Sequence, residues 1–274
     1  MIIESNNFNI KQIADSGQCF RMNRVEENRY GLVAFDRYLE LIQLDENRIE
    51  ITCGKEDFEF LWKDYFDMDY DYGRIVTSLT KGNDEFLKNA AQFGKGLRIL
   101  KQDIFETLIS FIISQRKNIP AIKSCIEKLC MFYGEKKRDN LSGKTYYTFP
   151  SPEKLANADL VELREAGLGY RDEYVKKTAI AVLQKEIDLK SLRKLDRDRA
   201  VKRLMKLPGV GIKVANCVSL YGLHHIEAFP VDVWIGRILK EVYHDNFNLN
   251  LYSGYAGIVQ QYMFYYMRSL KTKE

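Results

Sequence analysis

The stretch from Leu204 to Cys217, Leu-Met-Lys-Leu-Pro-Gly-Val-Gly-Ile-Lys-Val-Ala-Asn-Cys, constrains this chain more than any other. A basic amphipathic segment runs into Leu207-Pro208-Gly209-Val210-Gly211, and a second helical segment starts at once. Proline cannot continue the first helix, and two glycines around one apolar residue allow a very tight turn with close backbone approach to a ligand. A helix-hairpin-helix is expected over about 196–222. Its second helix then offers free N–H groups and a positive dipole end, a natural phosphate site. Such a unit grips a DNA backbone without reading bases. A plain helical hairpin with a glycine turn reads the same, so this segment alone leaves both open.

The rest of the chain gives the setting. From Tyr30 to Cys53 apolar and polar residues alternate, with Ile49, Ile51 and Cys53 on one face and Glu50 and Thr52 on the other, which predicts an antiparallel meander. After residue 55 the period turns helical. Phe58, Leu61, Trp62, Tyr65 and Phe66 mark one amphipathic face, and Ile104, Leu108, Phe111 and Ile112 another. Further helices are expected at 119–133, 171–185, 196–206, 212–222, 231–243 and 252–269. No repeat, linker or low-complexity run interrupts the chain. The expected class is α+β and mostly helical, with residues 1–100 forming a small antiparallel sheet plus helices and residues 101–274 a helical body.

Composition excludes other classes. Of 274 residues, 46% are hydrophobic and 29% charged, the balance of a globular protein. Mean hydropathy is −0.34, and no apolar run approaches the ~20 residues of a membrane span. Glu4 and two asparagines stand where a signal peptide would carry basic and then apolar residues. Five scattered cysteines fit reduced thiols. An intracellular location is expected, cytoplasmic or nucleoid-associated in a prokaryote, with no membrane partner. Residues 1–100 carry a net charge of −5 and residues 101–274 one of +9. A polyanionic partner and an ordinary solvated surface both fit that asymmetry.

Beyond the hairpin comes Phe229-Pro-Val-Asp232-Val-Trp-Ile-Gly-Arg. With this segment the chain resembles the helix-hairpin-helix, Gly/Pro, Asp superfamily of DNA base-excision glycosylases. The resemblance makes Lys213, in the hairpin's second helix, the nucleophile and Asp232, 19 residues later, the catalytic carboxylate. The chemistry calls for that pair. An amine can capture C1′ of the sugar and form a Schiff base, and a carboxylate favours the positive charge that develops on the sugar. A free lysine is protonated at neutral pH, so this one needs surroundings that favour the neutral amine. The positive end of its helix and the neighbours Lys202 and Lys206 act in that direction.

Other segments narrow the family. Asp15-Ser-Gly17-Gln-Cys-Phe20-Arg resembles the amino-terminal motif of 8-oxoguanine DNA glycosylases. Phe149-Pro-Ser-Pro, Gly167-Leu-Gly-Tyr170-Arg171 and Tyr255-Ala-Gly-Ile-Val-Gln260-Gln-Tyr-Met-Phe264 resemble further parts of that family, over about residues 10–268. The implied fold is an antiparallel sheet like that of the TATA-binding protein, packed on two helical subdomains around a cleft. The implied partner is duplex DNA containing 8-oxoguanine, bound by a monomer. Oxidation at C8 turns N7 of guanine from an acceptor into an N–H donor, so the reader must be an acceptor. A buried unpaired acceptor would penalise plain guanine by ~1–3 kcal/mol. By resemblance that acceptor is the Gly17 carbonyl. Gln260 meets the Watson–Crick edge, and Phe264 and Cys217 sandwich the flipped ring.

The resemblance also assigns a DNA-binding set: Gly209 and Gly211 in the hairpin, the wedge Tyr170, Arg171 beside it, and the loop residues Arg116 and Asn118. Arg116 stands where the family usually has the asparagine that fills the gap left by the flipped base. Trp234 stands where the better-known members have a phosphate-contacting histidine. Those members hold the orphaned cytosine with two arginines and an asparagine; here Arg171 is kept and Ala121 replaces the second arginine. No cysteine lies beyond Cys217, against the four closely spaced cysteines of the iron–sulfur relatives. His224-His225, away from any other histidine or cysteine cluster, makes a poor zinc site. No cofactor is expected. The carbonyls of Met205, Leu207 and Val210 are expected, by resemblance, to hold a monovalent cation bridging to phosphate. Two alternatives stay open at this point: a glycosylase for another damaged base, and a non-catalytic DNA-binding module.

Overall fold

In the computed structural model, which describes residues 1–271, five strands form one antiparallel sheet. These are β1 (Ile2–Glu4), β2 (Met22–Glu26), β3 (Arg29–Ala34), β4 (Arg37–Gln43) and β5 (Arg48–Ile51), in the order β1-β5-β4-β3-β2. The alternation read from Tyr30 to Cys53 is the β3–β4–β5 meander, and Ile49 and Ile51 on its inner face are fully buried. The edge strands complete it, with Ile3 opposite Ile49 and Met22 opposite Leu32. A turn of π-helix at Phe58–Trp62 follows, and it widens the helical spacing so that Phe58, Trp62, Tyr65 and Phe66 all reach the sheet's core.

The body is helical, and its centre is Ile104–Ser114. That helix is apolar on nearly every side and buried over almost its whole length, the pattern of a helix enclosed by others. Two cores result. The smaller gathers the sheet with Phe8, Ile10, Trp62 and Phe66; the larger runs from Tyr72 to Met267 and includes Phe20. The helices Tyr72–Thr80 and Glu85–Phe93 pack into the larger core, the second of them against the Ala256–Lys271 helix. Asp67 ties the two cores together, accepting from Tyr72 Oη (2.8 Å) and lying within 3.1 Å of Lys101 Nζ and 3.2 Å of His224 Nε2.

The expected hairpin is the pair Arg197–Leu204 and Ile212–Tyr221. Asp196 caps the first helix, accepting from Arg199 N at 2.9 Å. Gly209 adopts φ +73, and a Cβ there would lie 2.6 Å from the Tyr174 ring, so glycine is required twice over. Gly211 is different: nothing stands within 4 Å of where its Cβ would be, which leaves the backbone open to a partner outside the chain. The expected helices at 119–133, 171–185, 231–243 and 252–269 stand at Ile119–Tyr133, Asp172–Leu183, Val233–Glu241 and Ala256–Lys271. A two-stranded hairpin, Lys136–Arg138 with Thr145–Tyr147, was not expected. No helix among the described residues is long and apolar enough to cross a membrane.

Candidate active site

A cleft of about 400 Å³ opens at the carboxyl end of the central helix, lined by Phe111 and Ser114 from that helix. The hairpin's second helix contributes Lys213, Cys217 and Tyr221, and the amino-terminal loop contributes Gly17. Asp232 and Trp234 enter from the start of the Val233–Glu241 helix, and Gln260 and Phe264 from the last helix. Residues far apart in sequence, from Gly17 to Phe264, thus share one cleft. Asn118 lines the same cleft. Its side chain caps the Ile119–Tyr133 helix, with Oδ1 accepting from Ala121 N at 2.9 Å.

Lys213 is half-buried in the first turn of its helix, and its Nζ lies 5.2 Å from the centre of the Phe111 ring. Cys217 sits one turn further on, buried, and burial pushes its thiol up to about 11 against the opposing pull of Lys213. It therefore stays a neutral thiol at physiological pH and offers a soft apolar surface. Asp232 is half-buried and caps its helix through Oδ1, which accepts from Ile235 N at 2.9 Å. The carboxylate is thus oriented by a helix N-terminus while it borders the cleft with Lys213.

Gly17 adopts φ +74, and a Cβ on it would come within 3.3 Å of both Phe264 and Ile119. The backbone there closes on the Phe264 ring as only glycine permits. Gln260 is 3% exposed, and its Oε1 accepts from Gln261 Nε2 at 3.3 Å. The same Gln261 amide donates to Tyr221 Oη at 2.7 Å. A buried chain of polar groups, Tyr221–Gln261–Gln260, therefore fixes the amide that faces the cleft.

Beside the cleft lies an open groove lined by Gln115, Arg116, Tyr170, Tyr174, Leu207, Gly209, Val210 and Gly211. It brings the hairpin turn, the exposed Tyr170 and the exposed Arg116, at φ +52, onto one surface. Arg171, expected from the sequence to contact DNA at the surface, is placed differently. It is buried beneath the loop, and its guanidinium donates to the carbonyls of Leu168 and Gln115 and stacks on Tyr170, 4.3 Å from the ring centre. Gln115 in turn donates from Nε2 to Gly209 O at 2.9 Å, so Arg171 and Gln115 brace the wedge loop against the hairpin. Of the three hairpin carbonyls, that of Leu207 also accepts from Val210 N at 3.2 Å, and Met205 lies outside the groove. Among the described residues no group of three or more His, Cys, Asp or Glu could hold a metal ion.

Sequence reasoning did not assign Phe111, Tyr221, Gln261 or Arg268 to the cleft, nor Gln115 to the groove beside it. A second signal was available for Gln261, a glutamine directly after Gln260 on an otherwise apolar helix.

The family model of the 8-oxoguanine DNA glycosylase N-terminal domain matches residues 1–108, and that of the HhH-GPD superfamily base excision DNA repair protein matches residues 109–248. A protein of Methanothermobacter thermautotrophicus named "Probable N-glycosylase/DNA lyase" is 33% identical over 244 residues, 78% of this chain and 75% of its own length. The N-glycosylase/DNA lyase of Saccharomyces cerevisiae is 32% identical over 267 residues, 88% of this chain and 70% of its own. Among solved structures, the 8-oxoguanine glycosylase/lyase of Clostridium acetobutylicum, in complex with dsDNA containing cytosine opposite to 8-oxoG, superposes with a TM-score of 0.91. It is 34% identical, over 99% of this chain and 98% of that one.

Proposed function

This chain belongs to the 8-oxoguanine DNA glycosylases of the helix-hairpin-helix, Gly/Pro, Asp superfamily, and on that premise we propose how its own residues perform the reaction. The protein is a bifunctional 8-oxoguanine DNA glycosylase with abasic-site lyase activity. The observation that carries the assignment of roles is the single cleft shared by Lys213, Asp232, Gly17, Cys217, Gln260 and Phe264.

Duplex DNA lies along the groove of the hairpin, with phosphate against the turn Gly209–Gly211, whose backbone is open at Gly211, and Tyr170 as wedge. The flipped base enters the cleft between Phe264 and Cys217. The Gly17 carbonyl accepts from its N7–H, and Gln260 meets its Watson–Crick edge. Lys213 Nζ attacks C1′ as a neutral amine while the C1′–N9 bond breaks with its electron pair going to N9, and the proton shed by the attacking nitrogen leaves on the base. Asp232 stabilises the positive charge on the sugar during that exchange. The C1′ adduct opens to a protonated imine. Loss of a C2′ proton then expels the 3′ phosphate, and water releases Lys213 by hydrolysing the imine. None of these steps calls for a cofactor. Trp234 at the cleft rim replaces a charged phosphate contact by an apolar surface. The hairpin carbonyls of Met205, Leu207 and Val210 would supply the uncharged oxygen donors for a monovalent cation next to phosphate, with that of Leu207 shared with Val210 N. Every group in the scheme comes from one chain, the basis for reading the enzyme as a monomer acting on intracellular DNA.

The deciding experiment is incubation with a duplex carrying a single 8-oxoguanine. Base release, strand cleavage 3′ to the lesion and covalent trapping by borohydride are expected. Release without trapping would remove the lyase step, and no release with trapping on another lesion would make it a glycosylase for a different base.

A further inference from the structure

The loop that carries Gly17 is braced on both sides of the carbonyl proposed to accept from N7–H. Gln102 Nε2 donates to Gln18 O at 2.8 Å, and Arg268 donates from its guanidinium to Asp15 O at 2.9 Å. Among the described residues no backbone hydrogen bond falls on the carbonyl of Gly17 between them. The carbonyls of Asp15 and Gln18 are thus tied while that of Gly17 stays available. Arg268 also lies over Phe264, its guanidinium carbon 5.3 Å from the ring centre. Gln260, Phe264 and Arg268 follow at intervals of four on the last helix, so all three lie along one face. One side chain, anchored one turn beyond the ring that stacks on the base, therefore holds the loop that reads N7.

We propose that Arg268 is a specificity-determining positioning residue, which sets the distance between the Gly17 acceptor and the Phe264 wall and so how well an N7–H donor is told from an N7 acceptor. The inference rests on the assignment of 8-oxoguanine above. Hydrogen bonds weaken steeply with distance and angle, so a loop free to relax by a few tenths of an ångström loses much of its power to discriminate. Arg268 borders the cleft, but the role assigned to it runs through Asp15 and Phe264, and no bond is made or broken at it. Strand cleavage at a site that already lacks its base uses Lys213 but not the walls that read the base, and this separates positioning of the Gly17 loop from general damage to the fold.

The test compares Arg268→Met and Arg268→Lys with the wild type in the full chain. Two rates are read from the same preparations: single-turnover base release from an 8-oxoguanine duplex, and nicking of a duplex with a preformed abasic site. Arg268→Met is expected to release base roughly tenfold more slowly, the scale of one charge-assisted hydrogen bond, with abasic-site nicking unchanged. Arg268→Lys should recover most of the lost rate. Unchanged base release in Arg268→Met, or a parallel fall of both rates in both variants, overturns the proposal. A wild-type chain that releases no 8-oxoguanine would instead bring down the assignment on which it rests, and the two failures are distinct.

Discussion

The Lys213 side chain reaches over the face of Phe111, with Nζ 5.2 Å from the ring centre. Phe111 is itself fixed, stacked on Tyr221 with centres 5.5 Å apart and edge-on to Phe20. Packed against that ring, the Lys213 Nζ is placed within the cleft. Lys213 and Phe111 come from two of the helices that line the cleft, the second helix of the hairpin and the central helix.

Lys213→Gln is expected to abolish base release and strand cleavage together. DNA binding should persist, because phosphate contacts come from the hairpin backbone and from other basic residues. Borohydride trapping at wild-type yield would take the nucleophile's role away from Lys213.

Asp232→Asn should slow base release by orders of magnitude while damaged DNA is still bound, since a neutral amide does not offset the sugar's positive charge. The fold should survive, because asparagine caps a helix about as well as aspartate and the cap to Ile235 N is retained. Asp232→Ala would confound the two effects. Wild-type single-turnover rates in Asp232→Asn would exclude the carboxylate from the chemistry.

Local chemistry makes the hairpin legible in the sequence: a left-handed glycine against Tyr174 and an open one beside it leave a two-glycine signature. The β3–β4–β5 meander is legible because one face is buried and the other is not. Strand β2 lacks that contrast, since four of its five residues are exposed, and β1 spans only three residues. The base-pocket residues come from the family resemblance, because a glycine in a turn and a phenylalanine on a helix have no distinguishing period. Arg268 could not be found this way at all. Its partner Asp15 lies 253 residues away, and only the folded chain brings the two together. For Arg171 the residue type is legible, but sequence could not show that the fold buries it and places two of its donors on the carbonyls of Leu168 and Gln115.

Glu106 gives a prediction about stability. Burial pushes its carboxyl up to about 8, only partly opposed by Arg21, and one carboxyl oxygen is shielded without a partner. A carboxyl raised in the folded state contributes stability that is complete below its ordinary range, near pH 4, and lost as pH rises towards 8. Glu106→Gln removes the ionisation and should raise stability at pH 7.5, by about 1–3 kcal/mol. At pH 4 the gain should vanish. Thermal unfolding of both proteins at the two pH values checks this, and an equal shift at both would mean that ionisation is not the cause.

The base opposite the lesion is the last prediction. In the better-known members two arginines donate to the acceptors of the orphaned cytosine. Here Ala121 replaces one, and its backbone N–H is already taken by the Asn118 cap. The other, Arg171, is buried with its guanidinium engaged by two backbone carbonyls. Two of its donors are held in bracing the wedge loop, which leaves only its remaining N–H groups for cytosine. Arg116 is exposed in the adjoining groove, but a long, freely rotating side chain is a less directional reader than a fixed pair. Each missing arginine–cytosine pairing forfeits roughly 1–3 kcal/mol of discrimination. The enzyme should therefore prefer cytosine only weakly and excise 8-oxoguanine appreciably opposite the other bases. Single-turnover rates on four duplexes that differ only in the opposite base measure this directly. Further, Arg116→Ala should flatten what preference remains, while Arg171→Ala should slow all four duplexes alike by loosening the loop. A cytosine preference above ~1,000-fold, about three steps of 1.4 kcal/mol, would show that Arg116 replaces the missing arginine in full.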